Sequence, residues 1–85
     1  MASYRLLIKP SATKEIEALP KQDRLKVVAR IHGLSTQPRP PGCEKLSGHE
    51  QYRIRQGRYG ILYSIEDENL IVVVVKVGHR KEVYR

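Results

Sequence analysis

The side chains in this sequence best suited to chemistry are two arginines two residues apart, Arg53 and Arg55, and the closing segment VGHRKEVYR, residues 77 to 85. Guanidinium groups bind phosphate through paired N–H donors and stabilise charge that develops on phosphoryl oxygens. His79 titrates near neutrality and can carry a proton. Tyr84, with an ordinary pKa of ~10, is a poor base, but neighbouring cations favour its phenolate and lower that value. Arg58, Arg80, Lys81 and Arg85 supply the cations, and Lys45 is a further candidate phosphate contact.

Metal-free cleavage of RNA suits such a group. The 2′-OH attacks the adjacent phosphorus, so the substrate brings its own nucleophile. The protein must position the strand, neutralise the phosphorane and move two protons. Other chemistries lack their residues. The three histidines are far apart, the acids at 66–68 crowd one turn, and neither a Gly-rich phosphate loop nor a Ser-His-Asp order is present. No metal or cofactor is therefore expected. Plainer readings stand beside the chemical one. Arg53 and Arg55 also fit the wet face of a strand, Tyr52, Tyr59 and Tyr63 fit sheet packing, Lys45 fits a loop charge, and chain ends fray. Composition and spacing alone reach a basic α+β domain that binds nucleic acid or an acidic partner.

The elements that must position these residues follow from periodicity. Tyr4 to Ile8 reads as a strand stopped by Pro10. Ala12, Ile16 and Leu19 lie on one face of a short helix over 11–19, with Ser11 or Thr13 as its cap. Pro20 breaks it, and Val27, Val28, Ile31 and Leu34 mark a second helix from Lys21. Residues 35–42 hold three of the five prolines and form a loop. Residues 51–56 and 59–65 alternate as strands joined by a turn at Gln56-Gly57-Arg58. That alternation puts Arg53 and Arg55 on one face, Tyr52 and Ile54 on the other, and Arg58 in phase with Gly60 and Leu62. Leu70 to Val77 is nearly all β-branched and reads as a central strand buried on both faces. The expected fold is α+β: an N-terminal strand, an α-helical hairpin, then a three-stranded antiparallel meander. The helices pack on one face of a four-stranded sheet, and the tail folds towards the arginine face.

Eighty-five residues predict one domain, 1–85, with a small core and no Trp or Phe to fill it. A net charge of +7 favours an anionic partner. The single cysteine, Cys43, forms no internal disulfide. The first residues lack a secretory pattern and no apolar run reaches the ~20 residues of a membrane span, so a cytoplasmic protein with no membrane partner is expected.

The segments YRIRQGRYGILYSI and IVVVVKVGHRKEVYR together resemble the RelE family of prokaryotic toxins. LSG at 46–48 and KPSATKEIEALP fit the same pattern, so the resemblance spans essentially the whole chain. It implies a RelE-like, microbial-RNase-like fold and a ribosome-dependent messenger-RNA endonuclease, held inactive by a RelB-like antitoxin. Its RNA partners would be messenger and ribosomal RNA in the ribosomal A site, and operator DNA would be met only through the antitoxin complex. By this resemblance Arg53, Arg55, Arg80 and Tyr84 are catalytic, and Lys45, Arg58, His79, Lys81 and Arg85 bind RNA. One departure stands out: where the family often has Tyr-Arg, this chain has Tyr59-Gly60, and Arg58 is the candidate to reach the same phosphate. ParE-type toxins, which act on DNA gyrase without cutting RNA, share the architecture and are the alternative. A plain nucleic-acid-binding module is the third reading.

Overall fold

A computed structural model describes residues 3–46 and 50–79. The elements are β1 (Arg5–Ile8), α1 (Pro10–Glu17), α2 (Lys21–Gly33), β2 (Glu44–Lys45), β3 (Gln51–Gln56), β4 (Tyr59–Glu66) and β5 (Ile71–His79). They form one sheet in the order β1-β5-β4-β3-β2, with β1 parallel to β5 and the other pairs antiparallel. The helical hairpin and the β3–β4–β5 meander are as the sequence predicts. The sheet has a fifth strand, the two-residue β2, which pairs Glu44 with Arg53 and Lys45 with Tyr52. Two residues are too few for any periodicity, so only the backbone pairing identifies it.

Proline sets both helix starts. Pro10 occupies the first turn of α1, where its missing N–H costs no bond. Lys9 is the cap residue, with no side-chain cap bond, so neither Ser11 nor Thr13 takes that role. Pro20 stands one position earlier relative to α2, as its cap residue. Ala12 and Ile16 of α1, and Val27 and Ile31 of α2, are buried against the sheet face that carries Tyr52, Ile54, Ile61, Tyr63, Val72 and Val74. The Tyr52 and Tyr63 rings stack at 5.9 Å. Burial pushes the Tyr63 phenol well above its usual range, and its hydroxyl donates to the Pro38 carbonyl at 2.7 Å.

The β3–β4 connection is a two-residue turn, Gly57-Arg58, closed by the Gln56–Tyr59 pair. Gly57 has φ +60° and Arg58 does not share the positive value. A positive φ at the first central position alone is the pattern of a type II′ turn, whose twist suits a hairpin.

Strand β5 is an interior strand, between β1 and β4, as the sequence predicts, but only one of its faces is fully buried: Val72, Val74 and Val77 are in the core, whereas Ile71, Val73 and Val75 are half-buried. The step from Val74 to Val77 is three residues, not two. The ladder shows why, since Tyr63 pairs with Val74 and Leu62 with Lys76, leaving Val75 extra. This β-bulge shifts the phase of everything after it. Without it Lys76 would point into the core beside Val72 and Val74, where an unpaired ammonium is costly. With it Val77 enters the core and Lys76 takes the opposite face. Beyond Ile8, β1 no longer borders β5, and Glu15 of α1 accepts the Val77 N–H at 3.0 Å. Among the described residues no helix is long and apolar enough to cross a membrane.

Candidate functional site: an arginine face and the sheet end

The sheet face turned away from the helices carries the predicted strand arginines. Ladder partners share a face, so Glu44, Arg53, Leu62 and Lys76 form one row across β2, β3, β4 and β5. The next row towards the sheet end is Arg55, Gly60 and Gly78. Arg53 and Arg55 are thus brought together as the alternation of QYRIRQ requires. Arg53 is half-buried and its Nη2 donates to Glu44 Oε2 at 3.3 Å, while Arg55 is exposed. The tether limits where the Arg53 guanidinium can swing, and the carboxylate partly offsets its charge.

Other candidates lie elsewhere. Lys45 is opposite Tyr52, one register step from Arg53, and its ammonium is 3.7 Å from Glu50 Oε1. Arg58 does not continue the phase of Gly60 and Leu62, because it belongs to the turn. It lines a cleft of about 140 Å³ with Asp23 and Lys26 of α2, Gln56, Gly57 and Tyr59. His79 is the ladder partner of Tyr59, so it stands on the helix side of the sheet end, opposite in sense to Arg53 and Arg55. Its imidazole lies 5.2 Å from the Tyr59 ring, tilted by 39°. The two sets meet only at the rim where β3 and β5 finish, one residue past Arg55 and Gly78. Arg80, Lys81, Tyr84 and Arg85 lie outside the described residues.

Two features of this region escape sequence reasoning. The first is Lys76, which strict alternation in VVVVKV would place with the core valines. A lysine in phase with a buried stripe was the available signal for a bulge. The second is the bond from the Tyr59 hydroxyl to Asp23 Oδ2 at 2.7 Å, which ties β4 to α2. This bond, more than its burial, raises the Tyr59 pKa, so that phenol is a scaffold group and not a base. Nothing in the spacing of residues 23 and 59 signals it. Among the described residues no three His, Cys, Asp or Glu side chains gather as metal ligands would.

A basic α+β domain of two helices on a five-stranded sheet, with guanidinium groups on the open face, is the architecture of small toxins of type II toxin–antitoxin systems. The chain belongs to the RelE/ParE superfamily of type II toxin–antitoxin toxins. Residues 6–84 match the family described as the ParE toxin of the type II toxin–antitoxin system, parDE. Toxin RelG of Mycobacterium tuberculosis is 33% identical over 86 residues, covering 96% of this chain and 97% of RelG. The fold agrees with the toxin–antitoxin complex RelBE2 of M. tuberculosis (TM-score 0.82, 30% identity, 94% of each chain). It agrees also with the isolated E. coli RelE toxin (TM-score 0.80, 30% identity, 96% of this chain and 92% of RelE). An archaeal RelE–RelB complex from Pyrococcus horikoshii gives a TM-score of 0.83 at 26% identity, over 92% of this chain and 96% of that one.

Proposed function

We propose that this toxin is a ribosome-dependent messenger-RNA endonuclease, restrained by a RelB-like antitoxin. The observation that carries the reading is the placement of Arg53 and Arg55 side by side on the helix-free face, at the end of the sheet from which residues 80–85 continue. Two guanidinium groups at that spacing suit consecutive oxygens of a phosphodiester.

In this mechanism the ribosome presents the messenger strand, and the 2′-OH of one nucleotide attacks the next phosphorus. Arg53 and Arg55 hold the non-bridging oxygens and offset the negative charge that grows on them. Arg80 adds to that stabilisation, and Tyr84 takes the 2′-OH proton and returns one to the 5′-oxygen leaving group, His79 lying on the helix side of the sheet end. The antitoxin reading draws on relatives solved as RelB–RelE complexes. A toxin of +7 charge complements an acidic or amphipathic partner.

The ParE description of the matching family supports a second reading, a gyrase inhibitor that cuts no RNA. One experiment separates the two. Messenger 5′ ends are mapped in a translating bacterial extract with the purified chain, Arg53→Ala and Tyr84→Phe. Discrete translation-dependent cuts, weakened by both substitutions, support the endonuclease. Arrest without cuts refutes it and directs the search to gyrase.

A further inference from the structure

We propose that Lys76 is a third cation of the arginine face and binds the substrate phosphodiester together with Arg53 and Arg55; the assignment rests on the RNA-cleaving reading above. Three observations lead to it. The bulge at Val75 puts Lys76 on the helix-free face, since it pairs with Leu62, which pairs in turn with Arg53. Strand neighbours are ~4.8 Å apart, so the Lys76 and Arg53 backbones stand about 10 Å apart across Leu62, and two long side chains can meet over it. The next row brings no competing side chain from β4 or β5, because it consists of Arg55, Gly60 and Gly78. Arg53 and Arg55 on β3 and Lys76 on β5 therefore flank the Gly60–Leu62 stretch of β4 from its two sides.

Charge supports the same conclusion. Arg53 is engaged by Glu44, which partly neutralises it. Among the described residues no carboxylate lies in ion-pair range of Lys76. The device that keeps it out of the core also has its own support, because Glu15 accepts the N–H of Val77 just past the bulge. A lysine acts as a compact point charge with rotatable donors, which suits a phosphate whose oxygens move during in-line attack.

The test has two parts. In single-turnover cleavage on messenger-programmed ribosomes, Lys76→Met should slow cutting roughly 10²-fold, near the lower end of the loss of one preorganised donor. Lys76→Arg should stay within severalfold of the wild type, and both variants should keep the wild-type Tm. Cutting by Lys76→Met at the wild-type rate overturns the proposal. If the wild type itself cuts nothing, the endonuclease reading falls, and Lys76 is judged by NMR alone. A 2′-O-methylated trinucleotide, which cannot be cleaved, is titrated into the wild-type protein at millimolar concentration. The Lys76 side-chain resonances should shift together with those of Arg53 and Arg55. A Lys76 signal that stays put, whether or not the arginines respond, overturns the assignment.

Discussion

Tyr59 and Asp23 join across 36 positions of sequence through a 2.7 Å hydrogen bond, the phenol donating to the carboxylate. The bond fixes the first residue of β4 against α2, and the same ring supports His79 at the last residue of β5. One contact thus sets the geometry of three elements at the functional end of the sheet. It predicts that the Tyr59 phenol stays protonated beyond its ordinary titration range, because ionising it would place a phenolate against Asp23. Removing the carboxylate with Asp23→Ala should bring the Tyr59 titration back down, while Asp23→Asn, which keeps an acceptor, should leave the His79 imidazole resonance near its wild-type position. NMR-monitored titration of the tyrosine ring carbons checks the first, and the imidazole resonances of the same spectra check the second. Identical Tyr59 titration curves in wild type and Asp23→Ala would refute the coupling.

The bulge in β5 depends on a bond from another element. Glu15→Ala leaves the Val77 N–H without its acceptor in a half-buried place, at a cost of about 1–3 kcal/mol. Urea unfolding should show a lower midpoint with an unchanged slope. Amide exchange at Val77 should rise more than at Val72. Unaltered Val77 protection would show that Glu15 does not hold the bulge.

At the opposite end, Arg39 of the proline loop forms a two-pronged bond to Asp67, 3.1 Å to Oδ1 and 2.8 Å to Oδ2, while Tyr4 donates to Oδ1 at 2.8 Å. Arg39 also lies over the Tyr52 ring, 5.1 Å from its centre. The Arg39 bond first, and the Tyr4 bond second, lower the Asp67 pKa to about 2. A carboxylate whose folded pKa lies below its unfolded value stabilises the fold fully above the unfolded value, near 4. That contribution is lost as pH falls from there to about 2. Asp67→Asn should therefore lose less stability than the wild type across this window, although it starts lower. Thermal melts at pH 6, 4 and 2 (chosen to bracket the transition) check the sign. The effect will be small, since both partners are solvent-exposed and screened.

Gly57 predicts the sensitivity of the β3–β4 hairpin. Its φ of +60° lies in the left-handed region, although a Cβ there would meet no atom within 4 Å. Gly57→Ala should destabilise by about 1–2 kcal/mol through backbone strain alone. Gly33→Ala, in α2 with equal space but an ordinary φ, should be neutral or stabilising. Equal melting temperatures for the two variants would contradict this account of the turn.

Much of the scaffold is legible in the chain. Alternation in YRIRQ and YGILYSI separates the arginines from Tyr52, Ile54, Ile61 and Tyr63 because a strand's side-chain period is a local property of the backbone. The helices are readable for the same reason, since Val27 and Ile31 recur at helical spacing and Pro10 and Pro20 mark the starts. The pairing of Arg53 with Arg55 and the family resemblance therefore come from sequence alone. Tertiary structure decided what local rules leave open. Whether Lys76 points inward or outward depends on the cost of burying an ammonium against that of a bulge, which only the packed sheet sets. The β2 pairing that brings Glu44 to Arg53, and the Asp23–Tyr59 bond, join residues with no shared period. His79 follows the bulged phase to the helix side, away from the arginines it accompanies in composition. Local periodicity assigns faces within an element, and long-range pairing decides which faces and which ends of strands meet.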